Sequence, residues 1–250
     1  MKASNPKSLV NLPRIVWPVL LAFLISMNVF ADGGASRAAT KAEKGFYKTV
    51  YETFTKSLPP APSGWNLTGD SSSNKDLKDT YVGAEKEPFK VEYMGTWQDN
   101  KRLQEFEQKF AAEVAKLTKI PPKDIEIKVR EAEEKTAAHD ATLRINLQAN
   151  VFNEGIYQKI TAAAPIGGGQ VFRSESKFDS GWREGTTYVF LGKTWKLKKD
   201  GVTYMEATPD KNLPSTTVQT IMVQVQADPE RAKQILAKID WAALNRLIKN

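Results

Sequence analysis

A strict alternation of apolar and polar residues over positions 143–151 constrains the fold of this chain most. Successive side chains of a β-strand point to opposite faces, so this segment predicts a strand with one packed and one solvated face, as in antiparallel sheets. The polar positions are Arg144, Asn146, Gln148 and Asn150. Carbohydrate-binding proteins use such amides beside aromatic rings, and an ordinary solvated sheet face explains them equally well.

Shorter apolar runs predict further strands before and after this segment. They lie at 89–93, 170–173, 187–191 and 218–227. In the last of these, Ile221, Val223 and Val225 share one face. Residues 125–129, where Ile125, Ile127 and Val129 alternate with charged residues, likewise predict a strand.

Apolar residues at helical spacing predict an N-terminal helix over 46–58 and a middle helix over 103–117. Pro59 ends the first helix, and Asp99 or Asn100 caps the second.

Two capping signals predict helices at the C-terminal end. Asp228 is followed by Pro229, which matches an N-cap and the first helical position. Asp240 can cap a last short helix. The residues predicted to be buried in that helix are Trp241, Leu244, Leu247 and Ile248.

This order of elements predicts an α+β fold, with a mainly antiparallel sheet and flanking N-terminal, middle and C-terminal helices. No internal repeat or linker divides the chain, so a single domain over 45–250 is expected. A small, polar segment over 32–44 is predicted to be a flexible leader.

The segment 1–31 predicts a secretory signal peptide. A basic stretch precedes a short apolar run, and Val29 and Ala31 supply the small residues that a signal peptidase accepts. The expected location is periplasmic or secreted. An uncleaved signal helix that anchors the protein is the alternative, because the segment 15–31 reaches the lower length limit for crossing a bilayer. No other apolar run approaches that length.

Composition excludes several kinds of chemistry. The chain has no cysteine and one histidine, which excludes thiol catalysis, disulfides, Cys-ligated zinc, iron–sulfur clusters and any site with two histidines. No metal and no cofactor is expected. Of the net charge of +7, the segment 1–31 contributes three, and a balance of +4 over the remainder does not indicate a nucleic-acid-binding protein.

Two segments carry a resemblance to known proteins. Residues 57–65, Ser-Leu-Pro-Pro-Ala-Pro-Ser-Gly-Trp, resemble the opening of a loose group of uncharacterised secreted bacterial proteins. The strand at 223–225 and the helix and Ile-Asp-Trp-Ala-Ala-Leu ending of 232–244 resemble their usual end. The resemblance implies an exported bacterial α+β domain, with a fold similar to the α/β/α sandwich of PsbP and Mog1. It implies no catalytic residues.

Residues 193–207 predict a hairpin with a two-residue turn at Asp200-Gly201. That turn predicts that Lys199 faces Val202, Leu197 faces Tyr204 and Trp195 faces Glu206, with Lys196 and Lys198 together on a wet face opposite Thr203 and Met205. The predicted binding residues are Trp182, Arg183, Lys193, Lys196, Lys198 and Lys199. Lysines on an edge strand also prevent aggregation, and this alternative stays open.

Other candidate sites are weaker. His139-Asp140 could supply a general base, but neighbouring residues on a turn point apart. The three glycines of 167–169 precede a strand-like run and predict a hairpin loop or a mobile flap rather than a phosphate site. Two acidic groups lack the spacing of a calcium loop. They are Glu131, Glu133 and Glu134, and Asp70, Asp76 and Asp79.

These observations predict an exported, non-enzymatic envelope protein that acts as a binding or assembly module, with no catalytic residue identified. Its expected partner is an anionic envelope surface or an acidic protein, with no nucleic acid and no transmembrane segment after signal cleavage. The alternative is a hydrolase that uses carboxylates on an envelope glycan, because paired carboxylates cannot be recognised in one sequence.

Overall fold

A computed structural model describes residues 37–70, 81–82, 87–119, 121–136, 141–156, 160–174, 185–200 and 202–249. The predicted signal peptide therefore lies outside the described residues, and its cleavage stays a prediction. The division of the chain into signal peptide, leader and domain also stays a prediction.

The helices and strands are numbered in chain order. The helices are α1 (Lys41–Ser57), α2 (Asn100–Ala115), α3 (Pro122–Thr136), α4 (Pro229–Leu236) and α5 (Trp241–Leu247), with a 3-10 turn at Lys116–Lys119. The first strands are β1 (Arg37–Ala38), β2 (Trp65–Asp70), β3 (Tyr81–Val82), β4 (Val91–Asp99), β5 (Thr142–Ala149) and β6 (Asn153–Ile156). The later strands are β7 (Ile160–Ile166), β8 (Gly169–Ser174), β9 (Thr186–Gly192), β10 (Lys196–Asp200), β11 (Val202–Glu206) and β12 (Thr220–Gln226).

A seven-stranded antiparallel sheet forms the centre of the fold. Its strand order is β2-β4-β5-β12-β9-β8-β7, and β5 pairs with both β4 and β12. A three-stranded sheet has the order β10-β11-β6, and β1 pairs with β3. The predicted α+β class with a mainly antiparallel sheet and flanking helices is confirmed.

The main core lies on one face of the seven-stranded sheet. The apolar positions of β5 are buried there, as the alternation predicts, together with Ile221, Val223 and Val225 of β12. Helices α1, α4 and α5 contribute Phe54, Leu236 and Leu244 among others. Burial of this apolar surface is the main stabilising contribution to such a fold.

A second core lies on the opposite face of the sheet, where the three-stranded sheet packs. Tyr188, Phe190 and Met222 come from the seven-stranded sheet, and Ile156 and Met205 come from the smaller one. Because successive strand residues point to opposite faces, β9 and β12 supply side chains to both cores.

The predicted caps are confirmed. Asp228 and Asp240 accept hydrogen bonds from the backbone N–H groups of Arg231 and Ala243, each 2.9 Å long. Asp99 caps α2 by accepting from the N–H of Arg102 at 3.1 Å.

Helix α1 begins at Lys41, inside the segment 32–44 that the sequence predicts to be a leader. Thr40 and Glu43 form a capping box, and the Glu43 carboxylate also binds the Arg37 guanidinium at 2.6 Å. The hydrogen bond from Arg37 lowers the pKa of Glu43 to about 2, and Thr40 contributes to this shift. These contacts stabilise the first turn, which the composition of the segment does not reveal.

The predicted strand over 125–129 is wrong, because these residues form part of α3. Pro122 at the first position and Asp124 in the first turn suit a helix start. Val129 is half-buried and Ala132 is buried, whereas Ile127 is 60% exposed. Inward-facing residues are thus three apart, as on a helix, and the alternation over five residues was coincidental.

The last helix is buried less completely than predicted. Leu244 is fully buried, but Trp241, Leu247 and Ile248 are half-buried. The indole of Trp241 packs at the edge of the main core and its Nε1 donates to the Leu236 carbonyl at 2.9 Å.

Candidate functional site

Strands β10 and β11 form the hairpin that carries the predicted binding lysines, referred to below as the lysine hairpin. Its predicted register is wrong by one residue, since Lys199 lies opposite Thr203 and Leu197 opposite Met205. The predicted register would place Met205 opposite Lys196 on the wet face. In the structure Met205 is fully buried in the second core, so its burial outweighs the turn preference of Asp200-Gly201.

The exposed side of the lysine hairpin is basic. Lys196, Lys198 and Lys199 are exposed, and β10 is an edge of the three-stranded sheet. Lys196 and Lys198 share a face, as predicted. The observed register also puts Glu206 opposite Lys196. The Oε2 atom of Glu206 lies 3.9 Å from Nζ of Lys198. An exposed ion pair of this length contributes little free energy. Two lysines against one glutamate leave this face with a net positive charge.

The base of the hairpin is held by Trp195, which is buried. Its Nε1 donates to the Leu191 carbonyl at 3.2 Å, and its ring centroid lies 4.7 Å from that of Phe190. Gln170 of β8 donates to the Trp195 carbonyl at 3.3 Å. The lysines therefore extend from a segment that is packed onto the main sheet. Lys193, which precedes this anchor, is half-buried.

Several predicted residues lie outside the described part of the chain. They are Trp182, Arg183, His139, Asp140, Asp76 and Asp79. Their association with the lysine hairpin, or with a site of their own, stays a prediction. Glu131, Glu133 and Glu134 lie on α3, and no group of acidic or histidine residues within the described ranges could hold a metal ion.

The glycine-rich segment is a hairpin turn between β7 and β8. Gly167 and Gly168 have positive φ angles of 59° and 82°, which suits a tight hairpin. The Trp241 ring covers Gly167, where a Cβ atom would approach within 2.5 Å of the indole. Asn245 also donates to the Gly167 carbonyl at 2.8 Å. These contacts give Gly167 a packing role, whereas Gly168 serves the turn through its positive φ.

The polar positions of the segment 143–151 serve different purposes. Asn150 is fully buried and has a positive φ of 58°; its Nδ2 donates to the carbonyls of Phe89 and Thr217, and its Oδ1 accepts from the N–H of Gln219. These bonds make Asn150 a structural residue. Gln148 instead donates to Oε1 of Glu92 at 2.9 Å, next to the carboxylates described below.

A half-buried carboxyl group that the sequence did not single out is Glu154 on β6. Burial raises its pKa to about 7, and the nearby Glu92 carboxylate raises it further, whereas the Lys90 ammonium opposes the shift. Burial also raises the pKa of Tyr188 to about 12, with a smaller contribution from Glu154. Glu92, Glu154 and Lys90 therefore form a charged group beside the second core.

Replacing Glu154 with glutamine should stabilise the protein at alkaline pH. A group whose folded pKa is raised contributes stability below its ordinary pKa of 4.5, and this is lost as pH rises through about 7. Glutamine cannot ionise, so the gain should be near zero at pH 4, below the ordinary pKa, and reach up to about 3 kcal/mol at pH 8. Thermal unfolding of both proteins at the two pH values measures it.

The control for this prediction is Glu105→Gln, at an exposed position of α2. It should shift the melting temperature equally at both pH values. A Glu154→Gln protein that is less stable than the wild type at pH 8 would show that the ionised carboxylate is well paired.

No protein-family model, no curated protein and no solved structure matches this chain. The resemblance to secreted bacterial proteins, and to the sandwich of PsbP and Mog1, accordingly stays a prediction.

Proposed function

We propose that this chain is an exported, non-enzymatic binding or assembly module of the bacterial envelope and that the lysine hairpin contacts an anionic lipid surface. One observation supports this most. Lys196, Lys198 and Lys199 are exposed on an edge strand, while Trp195 and Met205 of the same hairpin are buried. A fixed, basic projection of this kind suits contact with a surface.

The expected attraction is weak. Each lysine near an anionic membrane contributes about 1 kcal/mol. Lys196 and Lys198 share one face, so two lysines, reduced by the Glu206 carboxylate, would give a weak contact that depends on salt. The proposal thus rests on local charge rather than on the small net charge of the chain.

Export is part of this proposal and rests on the predicted signal peptide of residues 1–31, with an uncleaved anchor as the alternative. No helix of the described ranges combines the length and hydropathy needed to cross a bilayer.

Reversing two charges of the lysine hairpin tests the proposal. The double variant Lys196→Glu and Lys198→Glu should lose binding to phosphatidylglycerol vesicles in a co-sedimentation assay, because the shared face becomes acidic. The control is Lys41→Glu with Lys48→Glu, two exposed lysines of α1, which makes the same change in net charge. It should retain most of the binding. Both variants should keep the wild-type melting temperature.

Equal loss of binding in the two variants would mean that net charge alone acts, which contradicts a site at the hairpin. If the hairpin variant instead aggregates and vesicle binding is unchanged, the lysines protect the edge strand. Binding to an acidic protein but not to vesicles would replace the lipid surface with the other predicted partner.

A carboxylate-dependent hydrolase acting on an envelope glycan is the second candidate. Glu154 favours it, because a carboxyl with a pKa of about 7 suits proton donation and the Glu92 carboxylate is nearby. Incubation with purified peptidoglycan distinguishes the two candidates. Release of reducing ends that Glu154→Gln abolishes would support the hydrolase, and no release would favour the binding module.

A further inference from the structure

Strand β7 is an exposed edge without charged side chains. It is last in the order of the seven-stranded sheet, and no other strand among the described residues pairs with its outer side. Its sequence is Ile-Thr-Ala-Ala-Ala-Pro-Ile, and residues 161–165 are all exposed. Backbone N–H and C=O groups along such an edge are available to another strand.

The other edges of the two sheets carry features that oppose strand pairing. Strand β10 has three lysines, which repel a second copy of the same strand. Strand β2 ends in Asp70 and has an irregular register between Leu67 and Gly69. Strand β6, the other edge of the three-stranded sheet, has only four residues and carries Glu154. In β7 the proline and the register irregularity both lie at the hairpin end, after Ala163, so the beginning of the strand is regular and unprotected.

We propose that β7 pairs antiparallel with β7 of a second copy of this chain, so that the two seven-stranded sheets join edge to edge. A two-fold axis sets the same strand against itself, and with no charge on β7 no like charges come together. The neighbouring strand β8 carries one charged residue, Arg173, which lies opposite Thr161. Its guanidinium donates to Thr187 Oγ1 and to the Ala227 carbonyl, both at 2.8 Å, and these bonds hold it against β9 and the end of β12.

The absence of cysteine from the chain allows a direct test. Across an antiparallel pair, opposing Cα atoms lie about 4.5–5.5 Å apart, within the range of a disulfide. Only the residue on the two-fold axis lies opposite its own copy. Among the four single variants Thr161→Cys, Ala162→Cys, Ala163→Cys and Ala164→Cys of the exported protein, one should therefore form a disulfide-linked dimer much faster than its neighbours. Leu67→Cys, exposed on β2, is the control and should stay monomeric.

Sedimentation of the cysteine-free protein gives a second readout. The apparent mass of the wild type should rise from monomer towards dimer between micromolar and millimolar concentration. Ala163→Lys should abolish this rise without lowering the melting temperature, and Leu67→Lys should leave it unchanged. A wild type that stays monomeric throughout would overturn the proposal, as would equal cross-linking at all five cysteine positions. Neither readout depends on vesicle binding, so this proposal and the proposed function can fail separately.

Discussion

Replacing Phe54 with alanine should lower the free energy of unfolding by about 3–5 kcal/mol, as expected for removal of a fully buried ring. Phe54 is completely buried in the core that α1 shares with the main sheet. The cost includes the lost burial of the ring and the cavity that remains. Chemical denaturation of the purified protein measures it.

Phe106→Ala is the matched control, since it makes the same change at a half-buried position of α2. It should cost clearly less than Phe54→Ala. Equal losses would contradict the placement of the main core under α1.

Replacing Asn150 with alanine should cost about 3 kcal/mol or more, because three buried backbone groups lose their partner and each such loss costs about 1–3 kcal/mol. The groups are the carbonyls of Phe89 and Thr217 and the N–H of Gln219. The alanine must also adopt the positive φ of 58° that asparagine tolerates better.

Asn150→Gly separates the two effects. Glycine accepts a positive φ, so this variant should regain about 1 kcal/mol relative to alanine and still lack the hydrogen bonds. If Asn150→Gly were as stable as the wild type, the bonds from Asn150 would contribute nothing and the structural role assigned to it would be wrong.

The sequence predicted those parts of the fold whose cause is local. The aspartates at 99, 228 and 240 cap helices through their own side chains. A local alternation of apolar and polar residues likewise predicts strand β5. Over the short segment 125–129, alternation could not be distinguished from one face of a helix. The burial of Val129 and Ala132, three residues apart, shows the helical face that the short alternation hid.

The candidate site was predicted less completely, since its properties depend on distant contacts. The lysines of β10 are visible in the sequence, but the place of Glu206 beside them depends on a register that Met205 sets from the second core. The raised pKa of Glu154 depends on burial and on Glu92, which lies far earlier in the chain, on β4. The unprotected edge of β7 emerges only from the strand order.

The central claim is that the lysine hairpin binds an anionic surface, and co-sedimentation of the wild-type exported protein with vesicles tests it most directly. Phosphatidylglycerol vesicles should bind the protein at low salt and release most of it at physiological ionic strength, where the screening length is about 8 Å. Phosphatidylcholine vesicles, which are neutral overall, should not bind it. No binding to phosphatidylglycerol at low salt, or binding that salt does not weaken, would contradict the account.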